Sequence, residues 1–251
     1  LSKDGMINDG IISTKLGIPG ISDLAEKIII ERDLSLLEET NCRYHISQIS
    51  SRKSLDLINY KKDIVNFTTG VSINNLALNE NDIGEFRTFL KLSPPLRTED
   101  DRISLIDGIN KNLIDVIVSD HKPEDEESKR LTFSQAATGA SGIETFLSLA
   151  LEQFHNGSVK LEKIIEVITH NPAKILKINK GNLNVGADGD FCIVDINKPW
   201  IVKKENLLTS LPRVTPARSC LFGISWRRLQ MNGPCKGSPF PKRPPRLSSG
   251  F

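Results

Sequence analysis

Residues Ile114 to Lys122 read I-D-V-I-V-S-D-H-K. An apolar, β-branched run that passes straight into a charged pair, Asp120 and His121, is how a buried parallel strand looks as it leaves a barrel or open sheet at its carboxyl end. Folds of that kind keep their chemistry at that end. An aspartate placed there can ligate a metal or take up a proton, and capping of the next segment is the ordinary alternative.

Outward from this strand the chain alternates between the two periodicities. Ile21 to Thr40 repeats Leu24, Ile28, Leu34 and Leu37 at helical spacing, with Ser22 or Asp23 placed as a cap. Arg43–Ile49 reads as a strand, Ser51–Lys62 as a helix and Ile64–Thr69 as a further strand. Thr98 caps a helix to about Lys111, with Asp100 and Asp101 in its first turn. Such βαβ alternation predicts a parallel sheet. Val71–Arg97 is longer than an ordinary connection, which points to function or an interface. Downstream, helices are expected over Gly142–His155 and Leu161–His170, the second stopped by Asn171-Pro172. Leu1–Lys15 shows neither cap nor strand of its own.

The 251 residues, 38% of them hydrophobic, are enough for one sizeable core. No apolar run approaches the roughly 18 residues that span a bilayer, so the chain reads as soluble and cytosolic, without membrane partners. Cys42, Cys192, Cys220 and Cys235 have no C-x-x-C spacing, which argues against a zinc knuckle. The net charge of +2 conceals an asymmetry: Leu207–Phe251 holds eight Lys or Arg, no acidic residue and seven of the thirteen prolines. That tail has no nucleic-acid-binding module, and its prolines cannot sustain a strand ladder. We expect it to be disordered, a product of a shifted frame or foreign sequence.

A series of motifs spanning roughly residues 3 to 205 resembles the dihydroorotase family of cyclic amidohydrolases. They are G-I-P-G-I-S-D-L-A-E (17–26), E-R-D-L (31–34), R-Y-H-I-S-Q-I-S (43–50), S-P-P-L-R-T-E-D-D-R (93–102), S-D-H-K-P (119–123), S-G-I-E-T (141–145), N-P-A-K-I-L (171–176) and G-N-L-N-V-G-A-D-G-D-F (181–191). The resemblance implies an α/β fold, the latter half of an amidohydrolase-type (β/α)8 TIM barrel plus part of the small flanking β-domain. The expected divisions are 1–178 for the partial barrel, 179–206 for the partial β-domain and 207–251 for the tail. An incomplete barrel has open edges, so a homo- or hetero-oligomer is expected.

The same resemblance implies zinc as cofactor and hydrolysis of the cyclic amide of dihydroorotate in pyrimidine biosynthesis. Asp120 matches the family's general-base and metal-ligand position. The family's H-x-x-H strand keeps its first histidine as His45, but its second, a metal ligand, stands here as Gln48. The substrate-binding Asn before Pro-Pro-Leu-Arg is Ser93, and the second His of D-H-x-P-H is Glu124. P-H-H-L becomes I-N-N-L at Ile73–Leu76. His45 and His121 read as structural hydrogen-bonding partners. These substitutions favour a non-catalytic dihydroorotase-like protein, whose motifs R-Y-H-x-S, V-S-I-N-N-L and L-N-E-N-D-I-G the chain resembles, acting as a partner of aspartate transcarbamoylase. The alternative is a zinc-dependent dihydroorotase represented by its latter half. Weaker candidates are His155 and His170 at helix ends, Ser47, Ser50 and Ser51 beside His45, and an anion cradle at Gly139–Gly142.

Overall fold

The structure, a computed structural model, describes residues 1, 3–188, 190–200, 202, 221, 222 and 227–229. Helix α2 (Asp23–Thr40) starts where Ser22 accepts a hydrogen bond from the Leu24 amide and ends at Asn41 in the left-handed region. It buries Ile30, Leu34 and Leu37, while Leu24 and Ile28 face solvent. The buried stripe therefore lies along one side of the helical repeat read from the sequence. Ser51 caps α3 (Arg52–Lys61) in the same way through the Ser54 amide. Thr98 and Asp101 exchange hydrogen bonds as a capping box at the head of α5 (Glu99–Asn110).

Strands β3 (Tyr44–Ile49), β4 (Phe67–Ser72) and β5 (Val116–Val118) form a parallel sheet in that order. Their inward side chains join α2, α3, α5 and α7 (Phe146–His155) in one core that includes Leu34, Ile49, Ile58, Val71, Ile109 and Ala150. The second strand was expected over Ile64–Thr69 and lies later. Ile64 and Val65 still donate to the Lys61 carbonyl as the chain leaves α3, so pairing starts only at Phe67.

Two further expectations are corrected. The opening residues are structured: β1 (Ile7–Asn8) pairs in parallel with β2 (Gly20–Ile21) around α1 (Ile11–Leu16). Ile7 enters a second core with Leu78, Ile83, Leu90, Leu96 and Phe133, built on the long connection after β4. That connection holds α4 (Ile73–Ala77) and two 3₁₀ turns, Glu80–Ile83 and Thr88–Leu90. Helix α8 (Leu161–Ile165) does not stop at Asn171-Pro172. It widens into a π turn over Glu166–His170 and runs on as α9 (Asn171–Leu176). The wider turn accommodates a proline that has no N–H to donate.

Beyond α9, β6 (Phe191–Ile193) pairs with β9 (Arg227–Leu229), and β7 (Pro199–Trp200) with β8 (Leu221–Phe222), all antiparallel. The tail thus contributes short ladders at 221–222 and 227–229, where none was expected. The rest of 207–251 lies outside the described residues. Among the described residues no helix is long and apolar enough to cross a membrane.

Candidate functional site

The parallel sheet delivers its three carboxyl ends to one place. β3 and β4 pair with a register shift between Ile46 and Ile49, a bulge that holds Ser47 and Gln48. From it Gln48 donates Nε2 to Asp120 Oδ1 at 2.8 Å, across 72 residues of sequence. Asp120 sits just past β5 with φ 46°, a left-handed backbone that aspartate tolerates better than most residues. Its side chain is only 4% exposed, and Lys122 Nζ lies 2.9 Å from the same Oδ1. Lys122 also reaches the Ser93 carbonyl at 3.3 Å.

The structure therefore brings Gln48 and Asp120 together, with the Ser93 carbonyl joined to them through Lys122. Among the described residues Glu124 shares no hydrogen bond or ion pair with them, and its charge acts on Lys129. His45 Nδ1 is 2.7 Å from Thr68 Oγ1 on the neighbouring strand. Burial lowers its pKa, favouring the neutral ring. His121 Nδ1 accepts from the Gly142 and Ile143 amides, which fixes the turn before α7. Its lone pair is committed to the backbone. Asn75 donates to the Pro95 carbonyl at 3.0 Å, while the buried Asn74 Nδ2 has no hydrogen-bond partner.

Three of the weaker candidates take supporting roles. Ser50 and Ser51 engage Glu26, and His155 bonds the Ile196 carbonyl. Gly139–Gly142 precedes no helix start, since α7 begins at Phe146.

Zinc requires several imidazole, thiolate or carboxylate donors converging on one point. At Asp120 the neighbours are a carboxamide that donates and an ammonium, and among the described residues no group of three or more His, Cys, Asp or Glu stands together. The described residues do not fit the ion. What the arrangement offers is a buried carboxylate held in one orientation by two donors, suited to accepting or handing on a proton.

Three lysines were missed from the sequence. Lys122 adjoins Asp120 in S-D-H-K-P, a proximity that was a usable signal. Lys91 and Lys129 are buried, and each donates only to carbonyls: Lys91 to Ser134 and Ala136, Lys129 to Thr88 and Ala137. Together they strap the loop after β4 to the loop after β5. Burial pushes Lys129 from its ordinary 10.5 down to about 8, with the charge of Glu124 opposing. Between those values the unfolded chain holds more protons than the folded one, so this group makes stability rise with pH across that window. Denaturant unfolding of the wild type and of Lys129→Met should show the wild type gaining on the variant as pH rises through the window. A constant difference would contradict the burial argument.

A model of the amidohydrolase family matches residues 9–222. The chain is 39% identical over 204 residues to a dihydroorotase of Ehrlichia canis, covering 80% of this chain and 46% of that protein. It is 38% identical over 207 residues to a dihydroorotase of Syntrophus aciditrophicus, covering 82% and 49%. Among solved structures it is similar to the L-hydantoinase (dihydropyrimidinase) of Arthrobacter aurescens, with a TM-score of 0.72, 25% identity and coverage of 81% and 47%. A D-hydantoinase structure, 20% identical, shares the fold at a TM-score of 0.72 and covers 90% and 51%. The chain spans about half the length of the curated relatives it matches.

Proposed function

This chain belongs to the amidohydrolase family, its three-stranded sheet being a part of the family's (β/α)8 barrel, and on that premise we propose that it is part of a dihydroorotase-type hydrolase of cyclic amides in pyrimidine biosynthesis. The observation that carries the reading is Asp120. It leaves β5 at the carboxyl end of the sheet, almost fully buried, on a left-handed backbone that fixes its direction. In cyclic-amide hydrolysis a strand-end carboxylate takes the proton of the attacking water and returns it to the leaving nitrogen. Lys122 and Gln48 hold the carboxylate for that task, and Gln48 owes its aim to the bulge in β3. Zinc supplies the attacking hydroxide in such chemistry. The described residues do not furnish its ligands, and no step through it is assigned to them.

The expectation of a non-catalytic partner of aspartate transcarbamoylase has less behind it, since the relatives quoted above are named dihydroorotases. One observation supports it as a second reading: Lys122 and Gln48 both engage Oδ1 of Asp120, so one of its two possible metal-binding oxygens is taken by protein donors. The deciding experiment measures dihydroorotate turnover, with zinc content on the same sample, for the protein that contains this chain and for its Asp120→Asn variant. Turnover that falls at least about a hundredfold in the variant supports the hydrolase. No turnover in either protein, or turnover indifferent to the substitution, overturns it; absence of both zinc and turnover favours the partner reading.

A further inference from the structure

The opposite end of the sheet, where the strands begin, carries a cleft of about 450 Å³ that the site at Asp120 does not use. It lies between the approach to β3, the start of β4 and helix α9, and it is lined by Arg43, Lys174 and Lys177. All three are exposed, and among the described residues none of their side chains has an ion-pair or hydrogen-bond partner. The carboxylate in the same wall, Asp115, is already engaged by Lys62 at 2.9 Å and by the Thr69 amide at 2.8 Å, so it does not offset them. Three like charges converging on one concavity repel one another, a cost that a multivalent anion removes.

The remaining walls narrow the class. Tyr44 and Asn66 also line the wall, the Tyr44 hydroxyl donating to Asp33 at 2.6 Å and its ring packing against the core. The volume falls within the roughly 300–1,000 Å³ of small-molecule sites. An Arg fork with two ammoniums suits a phosphate better than a single carboxylate. The geometry points to a binding site for a phosphate monoester of nucleotide size at the amino-terminal end of the sheet. Lys174 and Lys177 lie at the carboxyl end of α9, where cations also offset a helix dipole. That role accounts for each lysine singly and leaves their convergence with Arg43 unexplained.

The test uses adenosine 5′-monophosphate as probe and adenosine as its uncharged counterpart, titrated calorimetrically into the full chain. Cys42, exposed in the cleft wall, gives a second readout: the probe should slow its alkylation, followed on the Cys42 peptide by mass spectrometry. The nucleotide should bind saturably and adenosine should not. K174E/K177E, two surface changes, and R43Q should each weaken binding about tenfold or more, the scale of a lost charge-assisted hydrogen bond. Absence of saturable binding or of Cys42 protection, equal binding of adenosine, or affinity unchanged in both variants would overturn the site. A double variant that melts earlier while binding as before would assign the lysines to the helix dipole and overturn it too.

Discussion

Replacing Arg97 by methionine should cost the fold about 3–5 kcal/mol, the scale for stripping one partner from a buried charged network. Arg97 is 3% exposed. Its Nε donates to Ser50 Oγ at 3.0 Å, and its Nη1 to Asn8 Oδ1 at 2.8 Å and to the Ile21 carbonyl at 2.6 Å. Each partner is itself committed. Ser50 donates to Glu26, which also accepts the Ser50 amide, and Asn8 donates to the buried Glu80. One guanidinium thus joins β1, β2 and the exit of β3, and it balances two carboxylates through single intermediaries. Burial lowers its pKa, while Glu26, Asp101, Asp23 and Glu80 act the other way. Methionine fills the space and leaves Glu26 and Glu80 without their cation. Lysine keeps the charge but cannot span Ser50 and Asn8 with a fork, so Arg97→Lys should fall between wild type and methionine. Equilibrium unfolding in denaturant measures both. A loss below about 1 kcal/mol for methionine would show the network to be incidental, on the scale of an exposed ion pair.

What the sequence discloses and what it hides divide along the range of the forces involved. The caps Ser22 and Thr98, the βαβ alternation and the strand exit at Asp120 follow from neighbours a few residues apart, and they are legible. The pairing of Ile7 with Gly20 is not, because two-residue strands have no periodicity and gain stability only from a core assembled by the distant connection after β4. The run of helix through Pro172 is hidden for another reason: proline forbids one hydrogen bond, and a widened turn dispenses with it. Lys91 and Lys129 read as surface residues because lysine is rarely buried. Only folded loops could supply the carbonyls that hold them. At the site, Asp120 and Gln48 were each visible, but their contact depends on a register no local pattern encodes.

That register depends on Gly70, and Gly70→Ala should cost about 3 kcal/mol, the upper part of the range for overpacking a core, and uncouple Gln48 from Asp120. Gly70 lies in the central strand, opposite the stretch where β3 departs from regular pairing. A Cβ built there stands 2.4 Å from the Ser47 carbonyl oxygen and 3.1 Å from Val116 Cγ2. The first obstacle is backbone, so no rotamer change relieves it. The bulge pushes that carbonyl toward β4, and a residue without a side chain is what allows the approach. Relief requires β3 to move outward or to lose its bulge, and either change redirects Gln48, whose amide meets Asp120 at 2.8 Å. Stability and site geometry are therefore expected to fail together. Denaturant unfolding gives the first. For the second, a double-mutant cycle pairing Gly70→Ala with Gln48→Ala should show coupling, because the interaction lost with Gln48 is already broken in the Gly70 variant. Strict additivity of the two losses, or a Gly70→Ala protein as stable as wild type, would mean that the bulge does not depend on this glycine.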